Sequence, residues 1–309
     1  MRNRFPYYRA AFGLLLLIAL LWYFDIVKVV QQFATLDPPW VMLTAALIVV
    51  STLISAVNLH LFMNQEGNLP FAKFLPLYWT SWAIGIVFPG QVGDVASIAA
   101  MLKRRGMAWQ VSLGRSLLDK LISFTLMLVI ALASLPALVS VEWNFPTLAI
   151  ALAMSTALLT ICYIGRNQLV RYFDPANDGW RGFVARTWEQ TVATIKGSPG
   201  KVALNFLLTA TRIAITGLAY CSMFAALQYT NLDILKVIPM VAMTSVVAYL
   251  PISFNGIGTV EITGVLLFAR LGMAPTSILS AYLALRLLVI CLAWLPAAIW
   301  LLTSNQHRD

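Results

Sequence analysis

Charge is what this chain has least of. Only 11% of its 309 residues are Asp, Glu, Lys or Arg, where an ordinary soluble domain carries about 25%. Hydrophobic residues make up 60% and mean hydropathy is +0.82, so a water-exposed globular surface is excluded and a polytopic membrane protein is defined. Histidine is nearly missing. His60 and His307 are the only two, so a Ser–His–Asp site would need His60, and nothing around it in sequence argues for one. The three cysteines, Cys162, Cys221 and Cys291, all lie in apolar runs and read as small core residues rather than disulfide or metal partners. No His, Cys or carboxylate cluster has metal-ligand spacing. The glycine-rich stretches lack the preceding strand and the following Lys-Ser/Thr of a nucleotide-binding loop. The expectation is a protein that is not an enzyme, with no metal and no cofactor.

What is present is a succession of apolar runs, each about 20 residues long, the length that crosses a bilayer. They cover residues 10–27, 40–63, 111–139, 145–164, 202–227 and 276–302. No small-residue cleavage site follows the first run; Trp22, Tyr23 and Phe24 stand there as interfacial anchors, so it reads as an uncleaved span. Two further stretches, 71–103 and 233–271, are interrupted in the middle. The interruptions are Phe88-Pro-Gly-Gln-Val-Gly-Asp94 and Pro251-Ile-Ser-Phe-Asn-Gly-Ile-Gly-Thr-Val-Glu261. Unpaired backbone in lipid costs several kcal/mol per group, so such breaks persist only where protein or a water-filled cavity surrounds them. Paired interruptions in corresponding halves of a membrane chain point to its binding site.

The net charge of +9 reads as positive-inside topology and attraction to anionic lipid rather than nucleic-acid binding. Arg2, Arg4 and Arg9 place the N-terminus in the cytoplasm, as do the six basic residues of the polar connector 165–201. An even number of crossings must separate them. That holds if 71–103 is a re-entrant hairpin, which also leaves Lys103-Arg104-Arg105 inside. The second half repeats the order upside down, with 233–271 opening to the opposite face and the C-terminus returning to the cytoplasm. Gly106-Met107-Ala108 after the first hairpin is matched by Gly272-Met273-Ala274 after the second. The expected fold is therefore one all-α membrane domain, 1–309, of about six full spans and two re-entrant hairpins in an inverted repeat, its repeat cores at 71–139 and 233–302. Within the connector, Trp180, Phe183, Val184 and Trp188 recur at roughly helical spacing, which fits a surface amphipathic helix or a plain loop.

Ionisable residues inside spans are functional candidates. Asp94 and Glu261 sit just past the breaks; Arg115, Asp119, Lys120, Arg212 and Arg286 lie within spans. Mutual pairing is one reading, with Arg115 and Asp119 four apart on one helical face. The other is an anionic headgroup site in which Arg212 and Arg286 hold phosphate, with Glu261 and Asp94 as counter-ions or proton carriers. Gly90, Gly93, Gly256 and Gly258 permit positive φ and can turn backbone amides toward an anion. Ser253 and Asn255 add hydrogen-bonding side chains at the second break.

Phe88–Asp94 with Leu102-Lys-Arg-Arg-Gly106 and Leu117-Leu-Asp-Lys-Leu121, and Pro251–Glu261 with Leu271-Gly272 and Leu285-Arg286-Leu287, together resemble the two signatures of the lysylphosphatidylglycerol synthase transmembrane, flippase-like family. The resemblance implies a bacterial inner-membrane protein that moves an anionic phospholipid or lipid-linked intermediate between leaflets. Glu261 and Arg286 take the acidic and basic positions of the second signature. Asp94 takes the acidic position of the first, where glutamate is more usual. The arginine that commonly follows is replaced here by the stretch Val95-Ala-Ser-Ile98. The aminoacyl-transferase domain of full synthases has no counterpart in these residues, so lysyl transfer is not expected. The alternatives are a small-solute or ion carrier and a non-transporting partner of a lipid- or glycan-modifying enzyme. A homo-oligomer is compatible with each.

Overall fold

The computed structural model describes residues 5–64, 69–88, 92–132, 180–250 and 252–305. Among them the chain is all-helical. Helix α1 (Phe5–Tyr23) is followed by α2 (Ile26–Ala34), α3 (Pro38–Met63), α4 (Phe71–Val87), α5 (Val92–Lys103) and α6 (Trp109–Leu132). After the undescribed stretch come α7 (Trp180–Gly197), α8 (Pro199–Ala226), α9 (Ile234–Tyr249), α10 (Thr259–Phe268) and α11 (Pro275–Asn305). Three of these helices, α3, α8 and α11, are long and apolar enough to cross a membrane, and a fourth span results if the bent pair α1–α2 is one. Leu14, Leu15, Ile18, Leu207, Leu295, Ile299 and Leu302 stand exposed on their outer faces, a surface suited to lipid rather than water. The span expected at 145–164, residues 133–139 of the span 111–139, residues 165–179 of the connector, and Gly90 all lie outside the described residues.

The first run does not continue straight through to residue 27. Asp25 takes a positive φ of 63° and caps α2 by accepting the Val27 N–H at 3.1 Å, and α2 leaves at 83° to the helix before it. The aspartate inside the apolar run is the cause: its short side chain satisfies a helix start, and it tolerates the left-handed region better than its neighbours.

Helices α3 and α8 form the central pair. Ser51 meets Thr216 at 3.1 Å and Asn58 donates to Thr209 at 2.9 Å; as one number rises the other falls, so the helices run antiparallel. Around this pair the same sequence of elements occurs twice: helix, break, short helix, left-handed glycine turn, long helix. In the first half this is α4, α5 and α6, in the second α9, α10 and α11. Gly106 and Gly272, with φ of 89° and 79°, make the two equivalent turns. Each half leans on the other, since α4 packs against α11 and α9 against α6. Trp79 donates to the Leu292 carbonyl oxygen at 3.0 Å, and Ala83 packs with Ala293 and Ala297. Across the other contact Met127, Ala131, Ala242 and Val246 share one cluster.

Small residues allow the close approaches. A side chain on Gly264 of α10 would meet the Tyr282 ring at 2.4 Å, and one on Gly13 of α1 would meet the Ile257 carbonyl oxygen at 2.9 Å, so α1 lies directly over the second break. The described part of the connector is a helix packed on the bundle. Thr191 of α7 donates to the Gly114 carbonyl oxygen at 3.0 Å, and Ala185, Thr187 and Thr194 are buried. Where described, this segment is helical and packs on α6.

Candidate functional site

At the second break the backbone turns sharply. Asn255, Gly256 and Gly258 all adopt positive φ, at 48°, 70° and 79°, which glycine accepts freely and asparagine accepts best among the others. The turn is closed from within. Glu261, in the first turn of α10 and 0% exposed, accepts the Gly258 N–H at 2.7 Å through Oε2. Its Oε1 takes two contacts from Arg286 of α11, Nε at 2.9 Å and Nη2 at 2.7 Å. The third guanidinium nitrogen, Nη1, reaches the Asn255 carbonyl oxygen at 3.4 Å. Ser253 and Thr259 bond to each other at 2.8 Å. Arg286 is thus a strut that joins the long helix to both sides of the break, and the Gly258 amide is held by protein.

The first break is closed more simply. Asp94, in the first turn of α5, meets Lys120 of α6 at 2.5 Å, with the two side chains 24% and 26% exposed. One carboxylate oxygen also accepts the Val95 N–H at 2.8 Å. Ser81 of α4 and Ser97 of α5 lie 2.7 Å apart and both hydroxyls reach the Asp94 carbonyl oxygen, so their two protons are shared among three contacts. With Gly85 facing the Asp94 Cβ, these contacts fold α4 and α5 into an antiparallel hairpin. Gly93 is helical here rather than left-handed; a side chain there would strike the Phe88 ring within 3 Å, so space, not φ, makes it glycine.

The two breaks meet. Asn255 of the second donates its amide to the carbonyl oxygen of Ile86, at the end of α4, at 2.9 Å. Between them and the α3–α8 pair lies a cavity of about 350 Å³, within the range of ligand sites. Asp94, Lys120, Arg212 and Asn255 line it together with Ser51, Thr52, Ser55, Thr216, Trp82 and the rings of Tyr78, Tyr220 and Tyr249. Arg212 Nη2 is buried and has no hydrogen-bond partner, and among the described residues no carboxylate lies within ion-pair distance of it. A buried guanidinium nitrogen with nothing to donate to is costly.

The remaining candidates lie off the cavity. Arg286 is not in its wall. Asp119 accepts from Asn205 at 2.8 Å and faces a small recess behind Lys120. Arg115 donates to the Met63 carbonyl oxygen at 3.3 Å and lines a separate basic recess with Lys73 and Arg105. Sequence reasoning underrated Lys120, and two signals were there to find it. Asp94 precedes Lys120 by 26 positions and Glu261 precedes Arg286 by 25. The first arms of the two hairpins also share a Lys-x-x-Pro, at Lys73–Pro76 and Lys236–Pro239.

Fold and site together define an all-helical membrane protein in which two broken helical elements enclose a charged cavity. Residues 10–297 match the family model described as the lysylphosphatidylglycerol synthase TM region, and the chain belongs to that family. A comparison with curated proteins finds no match.

Proposed function

We propose that this protein translocates an anionic phospholipid or lipid-linked intermediate between the leaflets of a bacterial inner membrane, binding the headgroup in the cavity between the two breaks. The observation that carries this reading is Arg212, whose buried Nη2 is without a partner in a cavity also walled by the Asp94–Lys120 pair. Guanidinium is the side chain best suited to a phosphate oxygen pair. Family membership supports a lipid rather than a soluble substrate. In this reading α4–α5 and α9–α10 are re-entrant hairpins of an inverted repeat, open to opposite faces, in a bundle of about six spans with both termini cytoplasmic. The antiparallel α3–α8 pair and the reciprocal packing of α4 on α11 and α9 on α6 support that symmetry, and transporters of this kind carry their sites where broken helices meet.

Mechanistically, Arg212 takes the phosphate, Lys120 is the neighbouring cation that Asp94 releases or retains, and the Glu261–Arg286 strut keeps the second break in shape. The protein acts without covalent chemistry or a cofactor. The test is exchange of labelled anionic and zwitterionic lipids between leaflets of proteoliposomes. Wild type should speed anionic exchange, and Arg212→Ala should reduce it at least about tenfold, the loss of one charge-assisted contact made in a low-dielectric site. Wild-type exchange no faster than in empty vesicles, or transport of a water-soluble ion with no lipid movement, would overturn the proposal.

A further inference from the structure

We infer that the recess at the start of α6 is a second anion site, which takes a phosphate group carrying two or more negative charges. It lies apart from the cavity between the breaks and is independent of what that cavity carries.

The recess has a volume of about 890 Å³ and is walled by the ends of α3 and α5 and the starts of α4 and α6. Three cations line it: Lys73 in the first turn of α4, Arg105 beside the Gly106 turn, and Arg115 in the second turn of α6. Backbone holds two of them in place. Arg105 donates to the Lys73 carbonyl oxygen at 3.3 Å and Arg115 to that of Met63 at 3.3 Å. Neither bond cancels charge, because a carbonyl oxygen is neutral. Among the described residues no carboxylate lines the recess. Asp119, one turn past Arg115, takes its hydrogen bond from Asn205 and faces the recess behind Lys120 instead. Residues 65–68, between the lining residues Asn64 and Leu69, contain one acid, Glu66. With Glu66 counted in full, three cations still exceed it by two. Lys103 and Arg104, exposed on the same turn, strengthen the field. Like charges gathered round one opening repel, and an anion of matching charge offsets that cost.

The start of α6 adds donors. Ala108, the residue before the helix, has no side chain that could cap it. The first three amides, of Trp109, Gln110 and Val111, have no partner among the described residues. Such a helix start attracts phosphate through both its dipole and its N–H groups. The space over Gly106 is open, since a Cβ there would meet nothing within 4 Å. The corresponding place in the second half is made otherwise. Pro275 begins α11 and has no N–H, and Ala274 gives its amide to the Tyr229 hydroxyl at 3.1 Å. Leu271 and Ala281 stand where the first half has Arg105 and Arg115, and only Lys236 answers to Lys73. The two halves share the turn but not the charge, so the turn alone does not call for these cations. Guanidinium and helix amides both suit phosphate oxygens. A phosphomonoester or a diphosphate brings the second charge, and either a lipid or a soluble molecule can carry it.

The experiment reads the melting temperature of the full chain in neutral detergent, at about pH 8 so that phosphomonoesters are doubly ionised. Ionic strength is held constant with chloride. The two probes are inorganic pyrophosphate and phosphatidic acid, each titrated into wild type, Arg212→Ala and Lys73→Gln/Arg105→Gln. At least one probe should stabilise wild type and Arg212→Ala at the same concentration, and the double variant should need about tenfold more, the loss of a charge-assisted contact. Lys73 and Arg105 are exposed, and Arg105→Gln alone should still need roughly threefold more, which keeps the test open if the double variant does not fold. Stabilisation by phosphatidic acid alone assigns the site to a lipid headgroup; stabilisation by pyrophosphate assigns it to a free phosphate compound. Either supports the site. No stabilisation beyond that of chloride, equal stabilisation of wild type and the double variant, or its loss in Arg212→Ala would overturn it.

Discussion

In the first half of the molecule Asp94 meets Lys120 through one oxygen and accepts the Val95 N–H at the other, a quarter of each side chain is accessible, and both line the cavity. In the second half Glu261 is wholly buried, bonded at one oxygen by two guanidinium nitrogens and at the other by a backbone amide. Arg286 itself also reaches the backbone of Asn255. The two pairs occupy corresponding places in corresponding elements, yet the chemistry differs as Lys differs from Arg. An ammonium is a point charge on a flexible stem that changes partners readily, whereas a guanidinium fork fixes geometry. The difference sets a wholly buried, many-bonded pair at the second break against a partly accessible pair at the first. Arg212, on the central pair, lines the same cavity as the first pair.

The comparison can be broken most forcefully at Glu261. Its replacement by Ala leaves Arg286 charged and largely buried, and unties Gly258; a loss of about 3–5 kcal/mol is expected, read as a large drop in the detergent melting temperature. Asp94→Asn should cost only roughly 1 kcal/mol, because its pair is partly accessible. Equal destabilisation by the two would erase the distinction between the buried pair and the accessible one. Between these extremes lies Gly264→Ala, which drives a methyl into the Tyr282 ring and should cost about 1–3 kcal/mol by overpacking; an unchanged melting temperature would show that the α10–α11 contact is looser than described. The smallest effect belongs to Ser97→Ala, which removes the one proton Ser97 shares between Ser81 and the Asp94 carbonyl oxygen and should cost about 1 kcal/mol. If it instead destabilised as much as Glu261→Ala, the first hairpin would be the rigid one.

Both breaks, their acidic residues and Arg286 were legible in the sequence because charge and paired glycine are rare in apolar runs. So was the recurrence of Gly-Met-Ala after each hairpin. What stayed hidden was partner choice. Arg115 and Asp119 stand four apart on α6, but Asp119 takes its hydrogen bond from Asn205 on α8, a tertiary contact that no local spacing encodes. Ser51, Ser55 and Thr216 escaped notice for a different reason. Hydroxyl residues in apolar helices ordinarily bond their own preceding turn, so their sequence positions do not reveal that they share one wall. The meeting of the two breaks through Asn255 and Ile86 spans 169 positions and depends on how both halves pack. The bend at Asp25 was readable in principle, as a capping residue inside an apolar run.

The central claim is that Arg212 is the anion ligand of the cavity and Arg286 is not. The most direct measurement is the melting temperature of the purified protein in neutral detergent, with and without added phosphatidylglycerol, for wild type, Arg212→Ala and Arg286→Lys. Binding to the folded state stabilises it in proportion to the logarithm of ligand over Kd. The account predicts a lipid-dependent rise in wild type, a lower baseline but the same rise in Arg286→Lys, and an unchanged baseline with no rise in Arg212→Ala. A full rise in Arg212→Ala, or its loss in Arg286→Lys alone, would contradict it.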